Sequence, residues 1–356
     1  MIYRLGDLVD NFDSRRIPLS SMQRQNMSKK YPYYGATGIF DHVDDYIFDG
    51  DYLLLAEDGT VLRDNKYPVL QRISGQTWVN NHAHVLKAKE EIVLQDYLYY
   101  ALYITDITPR VTGAVQLKLN QKNMNEIELE IPDLKTQHKI IRILSILDRK
   151  IDLNNSISDN LLRVSHQIYL NEIKNASITK TVRLGELCKI KYGKGLSMSK
   201  ILENGYRVYG GNGIIGFYNE KMYNKSQILI SCRGAASGKV IFTRPECFIT
   251  NNSLILECDE KYHYFIKEFS LDREYYEYTT GSAQPQVTID NVKDAELPLP
   301  NDEILINFNT ALCPIEKKYF TILDENESLM ELRDTLLPKL MSGMINIDRI
   351  TANGEQ

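Results

Sequence analysis

From Leu147 onward, apolar residues recur at every fourth and then third position: Leu147, Ile151, Leu161 and Ile168, with Asn154, Ser158 and Ser165 at the remaining places. The same steps from Ile315 collect Ile315, Tyr319, Ile322, Leu329 and Leu336, with Asn326 and Arg333 between them. Such a heptad seam predicts two long helices in one register, each the natural partner of the other in an antiparallel coiled coil. Pro314 has no amide hydrogen and clashes with the preceding turn, which predicts a break there and, by analogy, near Ile146. Each helix would then run about 27 residues, or about 40 Å at roughly 1.5 Å per residue. Elsewhere the pattern shortens to runs such as "DYLLLA", "AHVLKA", "QILISC", "KVIFT" and "SLILEC", set between Gly, Asn and Asp. These predict short strands joined by turns.

The strand-rich segments occur twice. "YRLGDLVD" at Tyr3 answers "VRLGELCK" at Val182, and "YPYYGATGIFDHVDDYIFDGDYLLLAEDG" at Tyr31 aligns without a gap with "YRVYGGNGIIGFYNEKMYNKSQILISCRG" at Tyr206, 175 residues on. "WVNNHAHVL" at Trp78 then parallels "FITNNSLIL" at Phe248, 170 residues on, so a loop is shorter in the second copy. "TGAVQLKLNQKNMNEIELEIP" at Thr112 matches "TGSAQPQVTIDNVKDAELPLP" at Thr280. Such self-similarity sets the whole architecture. We expect an α+β protein with an internal pseudo-twofold repeat: a mixed α/β, largely β domain at 1–132, a helical region at 133–178, a second such domain at 179–300, a second helical region at 301–345, and a flexible tail at 346–356.

Composition narrows the picture. The 356 residues suit two or three domains, and 43% hydrophobic with 25% charged is ordinary for a globular chain. No run is apolar enough to span a membrane and no leader pattern opens the chain, so a cytoplasmic location is expected. Five cysteines, none in a Cys-x-x-Cys pair, read as reduced structural thiols. A net charge of -5 argues against a generic polyanion binder. Locally, however, Phe12–Lys30 holds five basic residues against one acid and Lys180–Lys200 six against one, while seven carboxylates crowd Asp41–Asp58. Two similar but unequal modules on a stiff spacer suit a reader of two separated sites; half-sites on one face of duplex DNA lie about 34 to 36 Å apart per helical turn.

The ordered set "SRRIPLSSMQR", "YPYYGATGIFDHVDDYIFDGDYLLLAEDG", "WVNNHAHVL", "YGKGLS", "YRVYGGNGIIGFY", "ILISCRGAASGKV" and "LRDTLLPKLMSGMI" closely resembles the specificity subunit of Type I restriction-modification systems, over nearly the whole chain. The resemblance implies paired target-recognition domains that read a bipartite, asymmetric sequence in double-stranded DNA. It also implies a chain without chemistry or cofactor of its own, which docks two methyltransferase subunits and, through the complex, endonuclease/translocase subunits. S-adenosylmethionine, ATP and Mg are then expected in those partners, together with adenine-N6 methylation. Pro314 and Cys313, where the first copy has Ile146 and Ser145, depart from the repeat at the hinge.

The remaining motifs have plainer readings. "GNGIIG" at Gly211 fits a dinucleotide-loop pattern, but its counterpart "ATGIFD" does not and no strand-turn-helix context follows. Pro132–Asp133 and Glu172 imitate nuclease fragments far apart in sequence. His82 and His84 could share a metal, yet their counterparts Asn252 and Leu254 cannot and no third ligand is evident; we expect no metal site. A stand-alone nuclease or methyltransferase would need catalytic constellations that are missing, and a purely protein-binding coiled-coil scaffold is the other rival. Polar and basic residues in the loops are the candidate DNA contacts, able to bond base edges or phosphate: Arg15, Arg16, Arg24, Tyr33, Thr37 and Gln116 in the first copy, and Lys194, Ser197, Asn212, Arg233, Ser237, Lys239 and Gln284 in the second. Gln116 and Gln284 are shared, which suits positioning of backbone; Gly35, Gly59, Gly210 and Gly234 read as conformational.

Overall fold

The computed structural model describes residues 1–113, 116–175, 178–281 and 284–345; the expected tail at 346–356 lies outside the described residues. Two compact units emerge, Met1–Ile151 with the chain from Ser328 onward, and Asp152–Glu327. Each is a strand-rich globule with a stretch of both long helices packed on it.

The buried run Tyr52–Ala56 explains the first globule. Every residue in it is buried, and because side chains alternate along a strand, Leu53 and Leu55 enter one core while Tyr52 and Leu54 enter another. This strand is central in an antiparallel sheet ordered Val9–Asn11, Ala83–Ala88, Tyr52–Ala56, Leu70–Ile73. A second sheet runs Gly38–Val43, Tyr31–Gly35, Gln76–Val79, Phe48–Asp49, with Tyr31–Gly35 and Gln76–Val79 parallel.

The second globule repeats this plan. Its sheet order is Cys188–Tyr192, Ser253–Cys258, Ile228–Ser231, Val240–Phe242, and Ile228 and Ile230 enter one core while Leu229 enters the other. The companion sheet is Gly213–Tyr218, Tyr206–Gly210, Cys247–Ile249, again with one parallel pair. The lost loop is now located. Residues 57–69 join the central strand to its neighbour in the first unit, against only 232–239 in the second; the longer connection carries a small hairpin, Leu62–Arg63 with Tyr67–Pro68.

The long helices run Leu134–Asn175 and Asp302–Met341. All the expected seam residues are buried or half-buried, from Leu147 to Ile168 and from Ile315 to Leu336. Pairing is antiparallel within each unit. In the first, Ile140 and Leu144 share a core with Leu337 and Leu340, and Arg333 Nη1 bonds Asp148 Oδ1 at 3.1 Å. In the second, Asn154 Nδ2 donates to Asn326 Oδ1 at 2.9 Å and Asn326 Nδ2 to Asn155 Oδ1 at 2.8 Å.

The expected breaks are corrected: the helix passes without interruption through exposed Pro314, and the first helix through Ile146. A proline inside a helix costs about 3 kcal/mol. Burying Leu305, Phe308, Leu312 and Phe320 along the same helix offsets this at roughly 1.5–3 kcal/mol per side chain. Asp133, one of the nuclease-like residues, instead caps the first helix, accepting from Thr136 N and Oγ1, both at 2.9 Å.

Polar clamps join globule to helices inside each unit. Asp148 accepts from Tyr100 OH at 2.6 Å and Arg72 Nη1 at 3.1 Å. Arg244 Nη1 reaches Asp324 Oδ1 at 3.0 Å and Glu327 Oε1 at 2.7 Å. Lys267 and Glu316 form a buried pair at 2.7 Å. Among the described residues no helix is long and apolar enough to cross a membrane.

Candidate nucleic-acid interface

In the first unit most of the basic candidates are held by the protein itself. Arg15 donates to the Ile47 carbonyl at 2.5 Å and lies 4.9 Å over the Phe48 ring. Arg24 is buried, bonds Asp41 Oδ2 at 2.9 Å and stacks 5.0 Å from Phe40. Lys29 and the His42 amide also bond Asp41, which with Arg24 hold its carboxyl near about 2. Tyr33 is only 2% exposed, and its hydroxyl accepts from Leu19 N at 2.9 Å. Arg24 and Tyr33 are therefore structural, because a side chain enclosed and bonded in this way cannot reach a groove. Thr37 sits exposed in the turn between Tyr31–Gly35 and Gly38–Val43. Gln71 Nε2, which no pattern along the chain points to, braces that turn by donating to the Gly35 and Ala36 carbonyls at 3.0 and 2.8 Å.

Arg16 belongs to an ionic network. Its Nη1 bonds Glu57 Oε2 and the Ala83 carbonyl, both at 2.8 Å. His84, 1% exposed, places Nδ1 2.6 Å from Asp13 Oδ2 and Nε2 2.7 Å from the Leu119 carbonyl. Burial pushes the Asp13 carboxyl up, but hydrogen bonding and charge from His84, with the Val85 amide, outweigh it and hold the group below its usual range. Asp13, Glu57 and His84 place ligand atoms within 4.8 Å of one another, the third-ligand geometry the sequence did not suggest. Arg16 and Lys118 already lie on Glu57, at 2.8 and 3.4 Å, so the trio reads as a salt-bridge network. His82 turns elsewhere, to Asp58 Oδ1 at 2.6 Å.

The shared glutamines cap matching loops. Thr112 and Lys118 exchange backbone bonds of 2.8 and 2.7 Å, and Thr280 and Gln286 two of 2.9 Å, leaving Gln116 and Gln284 exposed on the loops so closed. Glycine is required beneath them: Gly113 has φ +95 and a Cβ there would meet the Gln116 carbonyl oxygen at 2.1 Å, while at Gly281, φ +88, it would meet that of Gln284 at 2.8 Å.

In the second unit several candidates converge. Lys239 Nζ bonds Asn212 Oδ1 at 2.8 Å in the hairpin turn, so "GNGIIG" is a strand-turn-strand and not a nucleotide loop. Exposed Arg233 has no side-chain partner among the described residues, and its backbone bridges Gln286 of the Gln284 loop. Ser237 is 3% exposed and donates to the Pro285 carbonyl at 2.8 Å; it positions that loop from within and cannot itself touch DNA. Lys194 and Ser197 line a concavity of about 280 Å³ with Lys200, Lys221, Tyr218 and Phe248. Lys200 and Lys221 are additions to the expected set, although Lys200 closes the basic stretch Lys180–Lys200; Lys221, ion-paired with Glu246, joins through the bridge between Tyr223 and Cys247, which no local pattern encodes. Arg15 of the first unit is pinned on Phe48 while Lys194 of the second lines a concavity, so the two units offer unlike surfaces.

A duplicated mixed α/β globule with loop-borne polar edges, carried on paired helices, defines a tandem recognition protein. The model of the Type I restriction modification DNA specificity domain matches residues 1–163 and again 178–340, and the chain belongs to that family. It is similar to the putative type I restriction enzyme specificity subunit S.HindORF215P of Haemophilus influenzae, 25% identical over 83% of this chain and 82% of that one. It is also similar to the type I restriction enzyme MjaIX specificity subunit of Methanocaldococcus jannaschii, 21% identical over 82% and 79%. Among solved structures, the S subunit of a Type I restriction-modification system from M. genitalium shares the fold, with a TM-score of 0.57, 17% identity and 96% and 95% of the two chains covered. This is a recognition chain for a DNA target, not a catalytic one.

Proposed function

We propose that the protein reads a bipartite, asymmetric DNA sequence, one half-site per unit, and directs two adenine-N6 methyltransferase subunits and ATP-dependent endonuclease subunits to it, with S-adenosylmethionine, ATP and Mg bound in those partners. The carrying observation is the pair of homologous units with unlike edges: Thr37 in the first, and Asn212–Lys239, Arg233 and the Lys194–Lys200–Lys221 concavity in the second, beside matching Gln116 and Gln284 loops. Two readers of the same build but different side chains suit two different half-sites. The lysines suit phosphate and Arg233 suits base edges, while the shared Gln116 and Gln284 suit positioning of backbone.

Methylation sequencing of host DNA with and without this gene tests the reading. A split adenine-methylated motif that vanishes on deletion supports it; unchanged methylation beside intact methyltransferase partners favours the protein scaffold. In the assembled complex, Lys194→Ala with Lys200→Ala is expected to weaken DNA binding evenly across sequences and to reduce the salt slope by about 1 for each phosphate no longer neutralised. Arg233→Ala is expected to relax the second half-site alone.

A further inference from the structure

The second unit holds chemistry that DNA reading does not use. A cavity of about 540 Å³ is lined in part by Cys258, His263, Cys313 and Phe320. Cys258 ends the strand Ser253–Cys258, and its register partner on the neighbouring antiparallel strand is Cys188. Directly opposed side chains in such a pair have Cβ atoms about 4.5–5.5 Å apart, close to the roughly 3.5–4.5 Å that a disulfide needs. Cys188 is buried and Cys258 half-buried against the cavity, so a small oxidant reaches the second first.

Surroundings differentiate the two sulfurs. The neighbouring Cys188 sulfur, and to a lesser extent the His263 imidazole, draw Cys258 below its usual range against the opposing effect of burial. The opposing Cys258 sulfur, with burial, pushes Cys188 up. Burial alone pushes up Cys232 and Cys247. Cys313 shares the cavity but has no cysteine opposite it in a strand pair.

We propose that Cys258 is a peroxide-reactive thiol and that Cys188 resolves it into a cross-strand disulfide. The Cys258 thiolate attacks one oxygen of hydrogen peroxide, the O–O bond breaks, and hydroxide leaves behind a sulfenic acid. The Cys188 sulfur then attacks the Cys258 sulfur; the S–O bond breaks, and the departing hydroxide takes the Cys188 proton as water. Two thiols lose two electrons and peroxide becomes two waters. The bond would tie together the strands Cys188–Tyr192 and Ser253–Cys258, the first of which leads into Lys194 and Ser197.

The test uses the full chain, reduced, desalted and exposed to a small excess of hydrogen peroxide at neutral pH, then denatured, alkylated, digested and analysed by mass spectrometry. The expected result is one cross-linked pair of peptides carrying Cys188 and Cys258, two hydrogens lighter than the separate thiols and reversed by reductant, with the other three cysteines still alkylated. In Cys188→Ser the cross-link is lost and dimedone traps a sulfenic acid at Cys258. Alkylation of Cys258 in the untreated native protein should persist to lower pH than that of Cys232 or Cys247, whose thiols burial pushes up. Full alkylation of both cysteines after peroxide, or oxidation of Cys313 as fast as Cys258, overturns the proposal. The wild-type measurement stands even if a variant fails to fold.

Discussion

At the scale of single residues, backbone geometry and enclosure decide more than residue type. Gly113→Ala forces a Cβ to within 2.1 Å of a carbonyl oxygen, whereas Gly281→Ala meets 2.8 Å. Both also strain a left-handed backbone, so each should cost about 1–3 kcal/mol, the first more than the second, as thermal melting would show. Asp13 gives a pH prediction. Its carboxyl is lower in the folded chain, so its contribution is full above the unfolded value of about 4 and is lost as pH falls through the folded one. Asp13→Asn should lower stability at neutral pH and flatten the acid side of a melting profile; parallel profiles for variant and parent would contradict the network. The same enclosure takes Tyr33, Arg24 and Ser237 out of the candidate contacts. Polar type was visible in the chain, but whether the polar atom faced solvent depended on strands far away in sequence.

At the scale of elements, the long helices set intrinsic propensity against packing. Pro314 remains in a continuous helix because the apolar residues around it are buried, so Pro314→Ala should raise stability by up to about 3 kcal/mol, measured by chemical denaturation. A drop would mean the proline is needed for the path of the helix. The buried Asn154–Asn326 pair predicts a coupling. Asn154→Leu strands a buried amide and should cost about 1–3 kcal/mol, while the double change to Leu should recover much of it. Additive losses in that cycle would show that the two amides do not depend on each other. The seam itself was legible because a heptad is a local regularity; the length of the helices was not, because the packing that overrides proline is contributed by strands and by the partner helix.

At the scale of the whole molecule, duplication organises everything. Exchanging residues 1–132 for the corresponding part of another family member should alter one half-site and leave the other, and methylation sequencing would report it. Change in both would dismiss the one-unit, one-half-site reading. Since both long helices contribute to both units, four residues added to one of them should lengthen the unread gap of the motif. An unchanged gap would assign the spacing elsewhere.

The sequence by itself determined the repeat, the strand-rich and helical segments, the seam register and the family, because these reside in local periodicity and in the order of motifs. It also showed that a loop is five residues shorter in the second copy, bracketing it only between the aligned segments that end at Gly59 and begin at Trp78. Tertiary structure alone placed that loop at 57–69 against 232–239, carried a helix through Pro314, drew Asp13 and Glu57 onto His84, set Cys188 opposite Cys258, and sorted bonded arginines from exposed ones. Each of these depends on which strands become neighbours. That choice follows from the burial of distant apolar faces against one another, which no window along the chain contains.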